Sequence, residues 1–180
     1  MNTNKQITYF NLSCVDVDYK NPLHTEALLS LLQIYATDPM GGGAAIALKT
    51  LKTLIDEMQK RSFVFSLLIF GQAQDALTEP DAVAVPVAFA NCIESFSTFK
   101  GRAVVNIHDF AVIPEARGQG VSQRLIAGIE EAAKARGACK LTLEVLEGNK
   151  IAQNAYVKAG FKGYELDPEM GRAMFWEKSL

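Results

Sequence analysis

The stretch Asn106–Arg136, NIHDFAVIPEARGQGVSQRLIAGIEEAAKAR, restricts the fold more than any other part of the chain. It begins as a strand and ends as a helix. Between them lies the turn Arg117-Gly118-Gln119-Gly120-Val121-Ser122, whose glycines let the backbone approach whatever faces it. The helix that follows aims unpaired N–H groups the same way, its macrodipole adds partial positive charge, and Arg117 adds a full one. The natural guest of such a turn is a phosphate or pyrophosphate.

Two familiar phosphate loops are excluded. A Walker loop requires Gly-Lys followed by Ser or Thr, which occurs nowhere in the chain. A dinucleotide fingerprint would place a third glycine at 123, where Gln123 stands, and an acidic residue at the end of a second strand downstream. The other glycine run, Gly41-Gly42-Gly43, lies between two helical patterns with no preceding strand, so it reads as a mobile loop, either one able to close over an acceptor substrate or a flexible connector.

With 180 residues and 49% hydrophobic content, the chain is expected to be one domain, 1–180, with a substantial core. A net charge of −2 and the lack of a dense Lys/Arg run argue against a nucleic-acid partner. Cys14, Cys92 and Cys139 are far apart, odd in number and set in apolar stretches, which reads as buried thiols in a reducing compartment. The segment MNTNKQITYF lacks a signal-peptide pattern, and no apolar run approaches the roughly 20 residues of a membrane span. A cytoplasmic protein without a membrane partner is expected.

In chain order, Lys5–Val17 reads as a strand. Pro22 opens a helix carrying Leu23, Ala27, Leu28, Leu31, Leu32 and Tyr35 on one side, and Ala44–Arg61 forms a second. Phe63–Phe70, bounded by Gly71, is a central strand, and Gln72–Asp81 a polar connection. A strand around Val87–Glu94, with Ser95–Phe99 as its tail, and a strand Ala103–Ile113 follow. After the helix that ends at Arg136 come a strand Ala138–Leu146, a helix opened by Gly148-Asn149 and ended by Gly160, and two last strands, Phe161–Leu166 and Arg172–Glu177.

The Arg-x-x-Gly-x-small turn, preceded by an apolar strand and Pro114, resembles the acyl-CoA pyrophosphate loop of the GCN5-related N-acetyltransferases (GNAT). The element order is similar to that whole fold: strand, two helices, three strands, helix, strand, helix, two strands. In that family an Asn starts the helix after the fifth strand, and a Tyr within it precedes Gly-Phe; Asn149, Tyr156, Gly160 and Phe161 match. The resemblance implies an α/β fold with one mixed sheet whose fourth and fifth strands are splayed where acyl-CoA enters. Ser122 departs from the pattern, which most often has Gly or Ala there.

The resemblance implies an acetyl-CoA-dependent N-acetyltransferase acting on a primary amine of a small molecule or peptide. Phe110, Ala111 and Val112 would pair with the pantetheine arm of coenzyme A, and Arg117, Gly118, Gln119, Gly120, Val121, Ser122 and Gln123 would hold its pyrophosphate. Tyr156 would protonate the departing thiolate and Asn149 orient the cofactor arm. Some relatives place a Glu base where Asn106 stands; Asn106 could hold a water instead, and His108, expected on the same strand face, or Glu144 could serve as base. Met40, Gly41, Glu94, Phe96 and Asp109 are candidates for the acceptor wall, and Asp38, Glu94 and Asp109 point to a cationic amine. No metal is required. Homodimer formation through the last two strands is a further expectation. An acyl-CoA sensor or interaction module of the same fold is the alternative, distinguished by whether CoA binding is accompanied by thiol release.

Overall fold

A computed structural model describes residues 7–74, 83–165, 167–171 and 173–179. They fall into two compact units, Met1–Leu146 and Glu147–Leu180. The first unit contains β1 (Tyr9–Asp16), α1 (Pro22–Thr37), α2 (Leu48–Gln59), β2 (Val64–Ala73), β3 (Val85–Ser97), β4 (Arg102–Val112), a 3₁₀ turn (Pro114–Ala116), α3 (Val121–Ala135) and β5 (Leu141–Leu143). The second contains α4 (Lys150–Lys158) and a 3₁₀ turn (Pro168–Met170).

The first unit is built on a five-stranded mixed sheet in sequence order, β1-β2-β3-β4-β5. Its first four strands pair antiparallel and β5 joins β4 in parallel. The continuous apolar runs of β2 and β3 are explained by cover on both faces: Leu67, Leu68 and Ile69, and Val87 to Ala90, are buried. One face packs Leu68 and Phe89 against Ala27, Leu28, Leu31 and Leu32 of α1 and Met58 of α2. Burying each of these larger side chains is worth about 1.5–3 kcal/mol. On the other face lies α3, whose Gly128 lets it come close: a Cβ there would collide with Cys14 Sγ.

Local signals account for the helix ends. Asn21 Oδ1 accepts the Leu23 N–H at 3.0 Å and Pro22 occupies the first turn of α1. The Gly41–Gly43 segment is folded rather than loose. Asp38 O accepts the N–H groups of Gly41, Gly42 and Gly43 at 2.8, 3.2 and 3.1 Å, and a Cβ on Gly41 would meet Tyr35 O. β2 runs through Gly71 instead of stopping there, and the glycine makes room for Leu12, whose Cδ2 would lie 2.9 Å from any Cβ at that position.

Two features of the sheet differ from the sequence reading. Asn91 lies opposite Asp109 and Cys92 opposite Ile107, so His108 is an extra residue, a β-bulge in β4. β4 and β5 share only the rungs Val105–Leu141, Asn106–Thr142 and Ile107–Leu143, which shortens the expected Ala138–Leu146 strand to three residues. Past Ile107, β4 continues to Val112 without β5 beside it, so the two strands part.

The expected last strands are corrected. In the second unit, residues 161–164 and 173–179 form no regular element and Glu165 makes a lone bridge, while Leu166 and Arg172 lie outside the described residues. Tyr164, Met174, Phe175 and Trp176 are exposed there, and extended segments with no buried face lack what stabilises a strand pair. Likewise, Lys5 and most of the Gln72–Asp81 connection lie outside the described residues.

Candidate acyl-CoA site

The Arg117 turn is shaped by its glycines. Gly118 and Gly120 have φ of 76° and 79°, the left-handed region that side chains disfavour, and nothing lies within 4 Å of where their Cβ atoms would be. Gly120 caps α3 and Val121, fully buried, anchors the first turn. The first carbonyl to be taken is Gly120 O, by Arg124 N–H at 3.1 Å. Among the described residues, the backbone N–H groups from Gly118 to Gln123 have no acceptor in the chain. An anion set there gains both these donors and the helix dipole.

Side chains of the turn have tasks the sequence did not reveal. Arg117 Nε donates to Val112 O at 3.1 Å and Nη2 to Asp38 Oδ2 at 3.2 Å, so its charge is balanced by Asp38. Gln119 ties the turn to the start of the sheet: Oε1 accepts Tyr9 N–H, and Nε2 donates to Ile7 O and Glu115 O, all at 2.8 Å. Ser122 Oγ donates to Gln123 Oε1 at 3.0 Å. The cradle is therefore a backbone device, and its side chains brace it. Phe110, Ala111 and Val112 lie on β4 beyond its last rung with β5, and Val112 O is already engaged by Arg117.

Asp38 links the α1–α2 turn to this loop. Its Oδ1 accepts Met40 N–H at 2.9 Å. That bond and the Arg117 guanidinium hold its carboxyl below the usual carboxylate range. A group whose folded value is lowered contributes stability above its unfolded value and loses it as pH falls through the folded one. Replacing Asp38 by Asn keeps the turn and removes the charge. The expected cost is at most about 1 kcal/mol near neutral pH, since the pair is partly exposed, and the difference should vanish in acid. Chemical denaturation of both proteins between neutral pH and pH about 2 checks this.

On the sheet face that carries α1, Asn106 Nδ2 donates to Thr142 Oγ1 at 3.2 Å and to Glu144 Oε1 and Oε2 at 3.2 and 3.1 Å. Two candidates for the acid–base work are thus brought together. His108 is exposed, but as the bulge residue it breaks the two-residue alternation that would have put it with Asn106. The same extra residue brings Asp109, opposite Asn91, onto the face that Asn106 shares with Ile93. Asn91 Nδ2 donates to Asp109 Oδ2 at 2.9 Å.

The remaining acceptor candidates are spread out. Glu94 Oε2 pairs with Arg136 Nη1 at 3.1 Å, and that guanidinium also lies 4.1 Å from the Phe65 ring centroid. This is a structural alternative to an acceptor contact. Phe96 is exposed near the β3–β4 hairpin, and Met40 and Gly41 belong to the turn wound on Asp38.

In the second unit, Asn149 caps α4, its Oδ1 accepting Ala152 N–H at 3.1 Å. Tyr156 is buried and meets Phe161 edge-on, ring centroids 5.8 Å apart.

Residues 76–161, which include β4, the turn, α3, Asn149 and Tyr156, match the model of the Acetyltransferase (GNAT) family. Just under half of the chain is thus similar to that family. It is 41% identical over 66 residues to thialysine N-epsilon-acetyltransferase of Bos taurus, covering 37% of this chain and 38% of that protein. It is 32% identical over 68 residues to the N-acetyltransferase YycN of Bacillus subtilis (strain 168), covering 38% and 42%. The match spans about two fifths of the length of these curated relatives.

The GNAT fold extends over nearly the whole chain. A probable acetyltransferase of known structure superposes with a TM-score of 0.69 at 20% identity, covering 93% of this chain and 99% of that one. AAC(6')-Iy, in complex with a bisubstrate analog, CoA-S-monomethyl-acetylneamine, gives 0.69 at 18% identity, covering 95% and 100%. Among the described residues no helix is long and apolar enough to cross a membrane.

Proposed function

We propose that this chain is an acetyl-CoA-dependent N-acetyltransferase acting on a primary amine of a small molecule or peptide. The observation that carries the reading is the coincidence of two openings. β4 loses β5 after Ile107, and the turn that β4 feeds leaves the amides from Gly118 to Gln123 unsatisfied. These residues fit coenzyme A: the turn amides would take the diphosphate, and the free edge of β4 at Ala111 and Val112 would run beside the pantetheine arm. AAC(6')-Iy, which has this fold, has been captured with CoA and with a CoA bisubstrate analog, which supports the choice.

Bound acetyl-CoA supplies an activated acyl thioester. The amine nitrogen attacks the carbonyl carbon, the C–N bond forms and the C–S bond breaks. Tyr156 Oη, by family resemblance, is the proton donor to the departing sulfur. Glu144, held by Asn106, is the carboxylate through which the amine proton leaves, directly or by way of a water on Asn106. Asp109 makes no ion pair with a Lys or Arg among the described residues, and it favours an acceptor bearing positive charge. The similarity to a thialysine acetyltransferase agrees with a basic amine.

Thermal unfolding with and without CoA, followed by free-thiol release from acetyl-CoA across an amine panel, tests the proposal. Saturation at about a hundred times Kd should stabilise the fold by about 2.7 kcal/mol. Thiol release should depend on the amine. A rise in Tm without thiol release from any amine would favour an acyl-CoA sensor, and no rise at all would discard both readings.

A further inference from the structure

Across the centre of the sheet runs a row of polar side chains that nothing in the fold requires. Tyr19 Oη lies 2.8 Å from Ser66 Oγ, Ser66 Oγ donates to Asn91 Oδ1 at 2.6 Å, and Asn91 Nδ2 donates to Asp109 Oδ2 at 2.9 Å. Ser66, Asn91 and Asp109 are direct cross-strand neighbours on β2, β3 and β4. Ser66 is 1% and Asn91 6% exposed, and the next row on the same face is Leu68, Phe89 and Ala111. An apolar row of matching shape would cost the fold little or nothing, because paired buried polar groups roughly break even with hydrophobic replacements.

What the row adds is direction. The single Ser66 hydroxyl proton is given to Asn91, so Ser66 must accept from Tyr19. Asn91 receives on its oxygen, which turns its amide NH₂ toward Asp109. Every donor along the row therefore points to one oxygen of one carboxylate. That carboxylate stands next to the bulge at which β4 and β5 part, and its Oδ1 has no hydrogen-bond partner among the described residues.

We propose that Tyr19, Ser66 and Asn91 are positioning residues for acceptor recognition, fixing Asp109 so that its free oxygen receives a positive charge on the incoming amine. This rests on the transferase reading. The attacking nitrogen must be neutral, so the charge that Asp109 holds is a second one on the same acceptor. The substrate class is a diamine or an amine with another basic centre. The row acts on acceptor binding and leaves the diphosphate turn alone.

The test uses acetyl-CoA with 1,4-diaminobutane and butylamine as acceptors. Asn91→Ala should raise KM for the diamine about tenfold, with KM for acetyl-CoA unchanged within about twofold. Ser66→Ala and Tyr19→Phe, which are gentler on the fold, should raise it by less, in order along the row. Asp109→Asn should abolish the preference for the diamine over butylamine. In that background the other three substitutions should no longer change KM for the diamine, although any loss of Tm should persist.

A purely structural row would give the opposite pattern, with Tm falling and the diamine KM unmoved, or with the same KM change whether or not Asp109 is present. Calorimetric binding of 1,4-diaminobutane to the CoA-loaded protein tests the row separately from turnover. If the wild type releases no thiol but binds the diamine through Asp109 and Asn91, the transferase reading fails and the row stands. If the wild type turns over amines with no sensitivity to Asn91, Ser66 or Tyr19, the row is overturned and the transferase reading stands. A wild type that neither binds nor turns over the diamine overturns the row as well.

Discussion

A Gly120→Val protein loses the rise in Tm that CoA gives the wild type. At φ of 79°, Gly120 holds the left-handed conformation that starts α3, and a β-branched residue pays about 1–2 kcal/mol to stay there. Rotating out of it relieves the strain but swings the neighbouring N–H groups off their common target. No heavy atom lies within 4 Å of the new Cβ, so the loss of apo stability is limited to that strain. A loss of the CoA-dependent shift with only a small drop in apo Tm is therefore the expected result. Gly128→Val provides the contrast. Its side chain collides with Cys14, so apo stability falls sharply, while the turn and its response to CoA survive in whatever fraction folds. A Gly120→Val protein that still responds fully to CoA would remove the turn from ligand binding.

Tyr156→Phe should lower turnover by about a hundredfold, the scale of a lost general acid, with CoA affinity nearly intact. The phenyl ring that remains still packs edge-on against Phe161, so α4 keeps its shape and the comparison isolates the hydroxyl. Single-turnover thiol release compared with CoA binding by calorimetry separates the two effects. Unchanged turnover would take Tyr156 out of the proton transfer.

Much of this architecture could be read from residue order because its signals are local. Pro22 after Asn21 marks the start of α1, the unbroken apolar runs of β2 and β3 mark strands covered on both faces, and the spaced glycines mark the turn before α3. What could not be read depends on distance or on counting. Arg117 and Asp38 are 79 residues apart, and neither carries a mark of the other, so residue order shows a free arginine charge where the fold has a paired one. Asn91, a lone amide inside an apolar strand, was a visible signal, but its partners on β2 and β4 emerge only from register. The last segments carry aromatic and apolar residues typical of strands, yet those side chains are exposed, because composition cannot supply a surface to cover them.

The surplus residue at His108 has a consequence for how tolerant this chain is to change in length. Pleated backbone keeps a binary count, and one added unit inverts the parity of everything after it. Excising His108 would remove the bulge between β3 and β4 and leave Asp109 opposite Asn91, on the face it already occupies. The chain thus tolerates loss of this one residue without turning the carboxylate away, whereas loss of Ile107 as well would put it on the α3 face.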